Sequence, residues 1–423
     1  MPAVVQSVTE NEVVLEVRVP LGRSMLDNEK AIQTALNEAG TLATGKALEA
    51  FDADGAPIEV GGVRLTSRGQ LPKEYQTPYG SVVIRRHVYQ RSGSVTYVPL
   101  EHGARIVITS TPFFAKVLSH KYADIPGISR VLADLEQNHG RRVAPGVVQR
   151  LADAVATTQF AKEQAWTYAL PVLEAPVASM SIGLDGTCMM LVEDGWREAM
   201  VGTITLYDRE GERLHTLYAA ASPEYGKETF LTSFAHEVER LRAAFPRVPA
   251  VGLADGASGN WTFLAKHTDR QTVDFYHVTG YLTDAAAAAF ADASERQAWL
   301  ESACHRLKHA EGAPRALLAE LKTFRTRPLA RAEREALEAA ITYFENQHPR
   351  MTYATNVAKN LPIGSGVTEA ACRVIVKERM CVSGGRRWTE RGASTVLSLR
   401  CLTHTKGRWE QFWAKIDRYG FAA

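Results

Sequence analysis

Residues 177–185 read V-A-S-M-S-I-G-L-D. Met180, Ile182 and Leu184 alternate with Ser181, Gly183 and Asp185, the period-two pattern of a strand with one apolar face. Two further strand-like runs follow, REAMVGTITLYD at 197–208 and RLHTLYAAAS at 213–222. In residues 227–245, Phe230, Phe234, Val238 and Leu241 carry helical spacing. VPAVGLADG at 248–256 is a near-continuous apolar run ending in an acid, the signature of a buried central strand, and TVDFYHV at 272–278 reads as another short strand. Three strands, a helix, a strand, a helix and a strand predict an α/β sheet with a hairpin-built half and crossover helices.

Outward from this core, residues 281–350 are rich in Ala, Glu, Arg and Leu and contain no convincing strand, so an all-helical insertion is expected there. Another helix is expected from near Gly366 through Lys377. GGRRW at 384–388 breaks the chain before a last helical stretch, where Trp409 and Trp413 define an apolar stripe suited to packing. Upstream, a helix is expected near Asn28–Phe51. The runs Ser81–Gln90 and Val95–Leu100, flanking Arg91–Ser94, suggest a β-hairpin. Ile128–Gln137 and Val147–Ala156 are amphipathic segments joined by NHGRRVAPG, which resembles a helix-turn-helix with the second segment as reading helix. An ordinary helical hairpin is the alternative. The expected organisation is therefore an N-terminal α+β region at 1–110, a helical, helix-turn-helix-like segment at 111–165, an α/β core at 166–280, the insertion at 281–350, and the rest of the core with basic C-terminal helices at 351–423.

The composition of the 423 residues, 45% hydrophobic and 23% charged, is that of a globular protein with several cores. No apolar run is long enough for a membrane helix. The N-terminal MPAVVQSVTENEVVLEV has no basic stretch ahead of an apolar one, so no secretory leader is expected. Five scattered cysteines with no C-x-x-C spacing argue against a disulfide framework and a thiolate zinc site, and a reducing cytoplasm is the simple expectation. Net charge is +2, yet residues 1–70 hold 6 Lys/Arg against 10 Asp/Glu, whereas residues 373–418 hold 11 against 4. The second imbalance suits a polyanion near the C-terminus, or else is a solvated helix face.

Three acids stand where hydrolytic metal chemistry would place them. Asp185 lies on the polar side of the first strand, Asp255 ends an apolar strand, and Glu369 lies in the first turn of GVTEAACRVIVKERM. Phosphodiester cleavage by two metal ions needs converging carboxylates, and hard oxygen ligands suit Mg²⁺ or Mn²⁺. Each acid also has a plainer reading: Asp185-Gly186 and Asp255-Gly256 as turns, Glu369 as a charge opposing the helix dipole. Arg373 and Lys377 follow Glu369 by four and eight residues, within about 40° and 80° of it around the axis. Arg386, Arg387 and Trp388 offer backbone contact with base stacking, or Trp388 packs. Arg141, Arg142, Gln149 and Arg150 sit at the joint and start of the reading helix. His277 either orients a phosphate or a metal-bound water or packs against its aromatic neighbours. His305 and His309 have ligand spacing but no third ligand, which favours a polar face.

SIGLDG, VGLADGASGNW, DFYHV and above all GSGVTEAACRVIVKERM followed by GGRRW resemble bacterial insertion-sequence transposases of the ISKra type, over roughly residues 75–415. These are related to the Mutator-type DDE transposases. The resemblance implies an RNase H-like catalytic fold, a metal-binding trio at Asp185, Asp255 and Glu369, and two Mg²⁺ or Mn²⁺ ions. It further implies double-stranded DNA as partner, both element ends and target, with the chain acting as a homo-oligomer on DNA in the bacterial cytoplasm, at the nucleoid. The group's C/D-x-x-H motif falls on Asp274-Phe275-Tyr276-His277. Some relatives carry a cysteine pair in the N-terminal hairpin; this chain has Arg91-Ser92-Gly93 there, which argues against a zinc ribbon. A nuclease of the same fold without strand transfer, and a non-catalytic DNA-binding descendant of a transposase, are the rival readings. A glycosidase using two of the acids is more distant, since no carbohydrate-binding aromatic cluster is evident.

Overall fold

A computed structural model describes residues 3–91, 96–163, 165–223, 226–382 and 387–421. The chain forms two units, one of residues 1–168 with 408–423 and the other of residues 169–407.

In the first unit, β1 (Ala3–Val8) and β2 (Val13–Val17) form an antiparallel pair, followed by α1 (Met25–Glu49), whose N-cap Ser24 accepts from Asp27 N. A three-stranded antiparallel sheet comes next, from β3 (Ile58–Val60), β4 (Val63–Gln76) and β5 (Ser81–Gln90). Of the hairpin expected between 81–90 and 95–100, the antiparallel bridge of Tyr89 with Tyr97 is present, and its turn lies outside the described residues. The main partner of β5 lies upstream, across a turn at Thr77–Gly80 in which the Thr77 hydroxyl accepts from the Tyr79 and Gly80 amides. Gly69 and Pro72 interrupt β4 and hide it from a periodicity reading. On the other side Tyr97 alone, among the described residues, bridges to Tyr89, and Pro99 opens the short helix α2 (Pro99–Gly103) where a strand was expected.

Three helices follow: α3 (Pro112–Asp124), α4 (Ile128–His139) and α5 (Pro145–Lys162). The last two contain the segments read as a helix-turn-helix, and Gly140, in the left-handed region at φ 60°, ends α4.

The second unit is built on a five-stranded sheet. β6 (Ser179–Leu191), β7 (Gly195–Tyr207) and β8 (Arg213–Ala221) are antiparallel neighbours. After α6 (Gly226–Ala244), β9 (Ala250–Ala254) pairs parallel with β6; after α7 (Ser258–His267), β10 (Arg270–Val273) pairs parallel with β9. The order is β10-β9-β6-β7-β8, with the first strand central. Met180, Ile182 and Leu184 are fully buried in one core with Phe234, Val238 and Leu241 of α6 and Leu264 of α7, as their alternation implied. The opposite face is covered as well, with Val251 and Leu253 packed on Leu361. Strands covered on both faces explain the apolar run at 250–254.

The strand expected at 272–278 stops at Val273. Asp274 caps the helix α8 (Phe275–Ala289) by accepting from His277 N, so FYHV is helical. Three further helices follow, α9 (Ala293–His309), α10 (Ala313–Thr323) and α11 (Arg331–Gln347), and their apolar faces extend the same core through Leu307, Leu321, Ile341 and Phe344. After the short α12 (Tyr353–Val357), α13 (Gly366–Ala371) runs through a π-helical stretch, Cys372–Lys377, into α14 (Glu378–Met380). The chain then forms α15 (Glu390–His404) and α16 (Arg408–Tyr419). Residues 351–423 were expected to act together, yet α16 belongs to the first unit, where Trp409 and Trp413 are buried beside Phe412. No helix among the described residues is long and apolar enough to cross a membrane.

Candidate functional site

The acids are positioned by strand register. Partners in the parallel pair β6–β9 differ by 70 in number throughout, from Met180 with Ala250 to Gly183 with Leu253, and Asp185 and Asp255 differ by the same 70. Continued past its last pair, that register would set them level on neighbouring chains, a strand spacing of about 4.8 Å apart in backbone terms. In the pair β9–β10 the difference is 19, from Arg270 with Val251 to Val273 with Ala254, and Asp274 differs from Asp255 by 19. Asp255 and Asp274 are thus the residues just past the ends of β9 and β10, and the register continued beyond its last pairs would set both level with Asp185 of β6. Asp185 is not at a strand end itself, because β6 continues to Leu191 beside β7.

Glu369 arrives on α13, which lies close against β6. A side-chain carbon on Gly183 would sit 1.9 Å from Thr368 Oγ1, so only glycine permits this approach. Thr368 Oγ1 also lies 2.7 Å from Thr203 Oγ1 of β7. One turn on, the Cys372 thiol donates to Asp185 Oδ2 at 3.4 Å. Burial, and after it the negative charge of Asp185, pushes that thiol well above the usual thiol range. The π-helical turn here has a visible partner: the buried Arg400 of α15 donates to the carbonyls of Val374 and Ile375. A side chain inserted into the helical ladder suits such a widening, and π-turns frequently accompany functional sites.

The remaining contacts fix backbone rather than bind a ligand. Asp185 Oδ1 accepts from Gly186 N at 2.7 Å, and Asp255 Oδ1 from Ala257 N at 3.2 Å. Asn260 Nδ2 reaches Leu184 O at 3.4 Å, tying α7 to the residue before Asp185. Tyr343 of α11 donates to Asp255 O at 2.6 Å and Gln347 to Gly256 O at 3.2 Å. The helical insertion therefore holds the Asp255–Gly256 turn, a role its sequence did not signal. Burial, then the neighbouring Tyr281 and the charges of Asp255 and Asp274, keeps the Tyr343 phenol protonated and able to donate.

Asp185 and Asp255 are half-buried and Glu369 is exposed. Among the described residues none of the three has a lysine or arginine ion-pair partner. Unpaired hard oxygen donors suit a divalent cation. As arranged, no three His, Cys, Asp or Glu side chains among the described residues stand close enough to enclose an ion.

The other sequence-derived candidates divide. Asp274, expected as an auxiliary group, is fully buried and saturated. Oδ1 accepts from His277 N at 2.5 Å, and Oδ2 accepts from both the amide and the hydroxyl of Ser365. The Ser365 hydroxyl also lies 3.1 Å from Glu369 Oε1. Asp274 is thus a positioning residue, linking β10, α8 and the helix of Glu369. His277 is exposed, its ring beside the stacked Tyr281–Tyr343 pair. His305 and His309 are exposed on α9.

Three of the residues expected at DNA are engaged within the protein. Arg141 is buried, donates to Thr77 O and Gln76 Oε1, and covers the Phe114 ring, so it locks its unit together. Gln149 is held on both ends of its amide, by the Tyr122 hydroxyl and by Asp153. Trp388 is half-buried, donates its indole N–H to Met380 O, and packs under Arg379. Arg142 is exposed but paired with Glu136, and Arg373 with Glu378. Arg150, Lys377 and Arg387 are exposed, while Arg386 lies outside the described residues. These positions separate two effects. Gln149→Ala is expected to leave DNA selectivity unchanged while lowering stability by about 1 kcal/mol, through its lost hydrogen bonds. Arg150→Ala is expected to weaken DNA binding with no loss of stability. Melting curves and binding isotherms on the full chain check both, and altered selectivity in the Gln149 variant would return that residue to the DNA interface.

Compared with known proteins, the chain matches no protein-family model and no curated protein.

Proposed function

We propose that the second unit is a metal-dependent phosphodiester-cutting enzyme whose ligands are Asp185, Asp255 and Glu369. One observation supports this reading: the parallel register of β6 with β9, continued past Gly183–Leu253, would set Asp185 and Asp255 level, and the helix whose Thr368 seats on Gly183 carries Glu369 as its next residue. The strand order β10-β9-β6-β7-β8, with an antiparallel half and a parallel half, supports the RNase H-like architecture expected from the sequence, with α8–α11 as its helical insertion. Within that class, the resemblance of the motif segments to insertion-sequence transposases and the helical segment α3–α5 of the first unit favour a DNA transposase.

The chain's own groups would divide the work. The three carboxylates would hold Mg²⁺ or Mn²⁺, which when bound supplies an activated nucleophile and charge stabilisation at the leaving oxygen. Tyr343 and Gln347 hold the backbone at Asp255, Asn260 holds it before Asp185, and Ser365 steadies Glu369. A nuclease of the same fold without strand transfer uses the same acids, so the products must separate the two.

The test is to incubate the purified chain with the DNA flanking its own gene, with Mg²⁺ or with EDTA, and map the breaks. Metal-dependent nicks at element ends, followed by joined products, are expected. Nicks without joining would leave a nuclease. No cleavage in any metal would leave only DNA binding.

A further inference from the structure

Beside Asp255 the second unit has an open cavity of about 540 Å³, lined by Gly256, Trp261, Thr262, Asn346, Gln347 and Arg350 among others. None of the described residues that line it is acidic. Arg350 stacks on Trp261, its guanidinium carbon 4.7 Å from the ring centroid, and Nη1 donates to Gln347 Oε1 at 3.3 Å. Among the described residues it has no carboxylate partner. Trp261 is 5% exposed, and its indole Nε1 is buried with no hydrogen-bond partner there either. Buried N–H groups are normally paired, so this orphan on a residue that lines the cavity calls for an acceptor. The Gln347 amide nitrogen is already committed to Gly256 O.

These walls offer an unpaired N–H and a cation without an anion. A guanidinium stacked on an indole keeps its edge free, and that planar edge matches the paired oxygens of a phosphate. Phosphates repeat about every 3.4 Å of helix axis along each DNA strand. Gly256 adjoins Asp255 in the chain, so a strand lying at Asp255 carries further phosphates toward the cavity.

We infer that this cavity receives a backbone phosphate of the DNA strand flanking the reacting phosphodiester, held by Arg350 and the Trp261 indole N–H. The inference rests on the phosphodiester reading of the neighbouring acids. It assigns Arg350 and Trp261 to strand placement, not to chemistry.

The test uses the full chain with ¹⁵N-labelled tryptophan. The Trp261 indole resonance is identified by its loss in Trp261→Phe, and duplex DNA and inorganic phosphate are titrated separately. Duplex DNA is expected to shift that resonance, and Arg350→Gln to abolish the shift. The same variant should reduce the slope of log affinity against log salt by about 0.9, while Arg350→Lys, which keeps the charge, should retain the slope but not the full shift. DNA binding by the wild type with the Trp261 resonance unmoved overturns the inference and leaves the phosphodiester reading intact. Absence of any DNA binding removes that reading and the inference with it. A shift with inorganic phosphate and none with DNA overturns it in favour of a small-anion site.

Discussion

Asp185→Asn, Asp255→Asn and Glu369→Gln are each expected to abolish DNA cleavage while leaving DNA binding nearly intact. Each substitution keeps the side-chain volume and removes one anionic oxygen from the set that would hold the metal. A metal clamp supplies several kcal/mol of transition-state stabilisation, and a loss of that size lowers the rate by three orders of magnitude or more. Folding should survive, because Glu369 is exposed and the aspartates' protein contacts are short-range or to a thiol. Single-turnover cleavage in Mg²⁺ and in Mn²⁺, beside equilibrium DNA binding, measures both effects. A purified variant that cuts at the wild-type rate removes its acid from the site.

Asp274→Ala is expected to cost about 3–5 kcal/mol of stability, a large share of what a domain of this size has. The carboxylate is fully buried and serves three donors, the amides of His277 and Ser365 and the Ser365 hydroxyl. Losing it uncaps α8, at about 0.5–2 kcal/mol, and strands the buried Ser365 amide, at about 1–3 kcal/mol, while the Ser365 hydroxyl can turn to Glu369. Asp274→Asn keeps one acceptor and should cost less. Cleavage should fall further than stability alone accounts for, since Asp274 anchors the amide of Ser365 at the start of the helix that carries Glu369. Urea unfolding of the full chain, followed by circular dichroism, gives the comparison; equal midpoints for wild type and Asp274→Ala would show that the buried network is not what holds this corner.

The predictions separate because the site's acids do different work, and that division was only partly legible in the sequence. Asp185, Asp255 and Glu369 stood out through their placement on elements that local pattern announces. The alternation of Met180, Ile182 and Leu184 reads directly as a buried strand face, and the apolar run before Asp255 as a covered one. Asp274 carried the same kind of signal, but whether a carboxylate is open to a ligand or consumed by donors depends on Ser365, 91 residues away.

What the sequence by itself determined is the series of elements in the second unit, the helical character of residues 281–350, and the acids worth testing. These follow from periodicity and capping, which act within a turn or two of chain. Only the tertiary structure decided the partners. Arg141, a candidate for DNA by type and position, finds acceptors 64 and 65 residues upstream; Cys372 meets Asp185 across 187 residues; Tyr343 holds Asp255 across 88. The pairing of β5 with the interrupted β4, and the place of α16 in the first unit, were decided the same way. Hydrophobic spacing tells a chain which face to bury, because burial depends on each residue's own surface. It does not tell a polar side chain which distant donor or acceptor will reach it, and in this protein that choice separates the residues left open to a ligand from those that hold the fold.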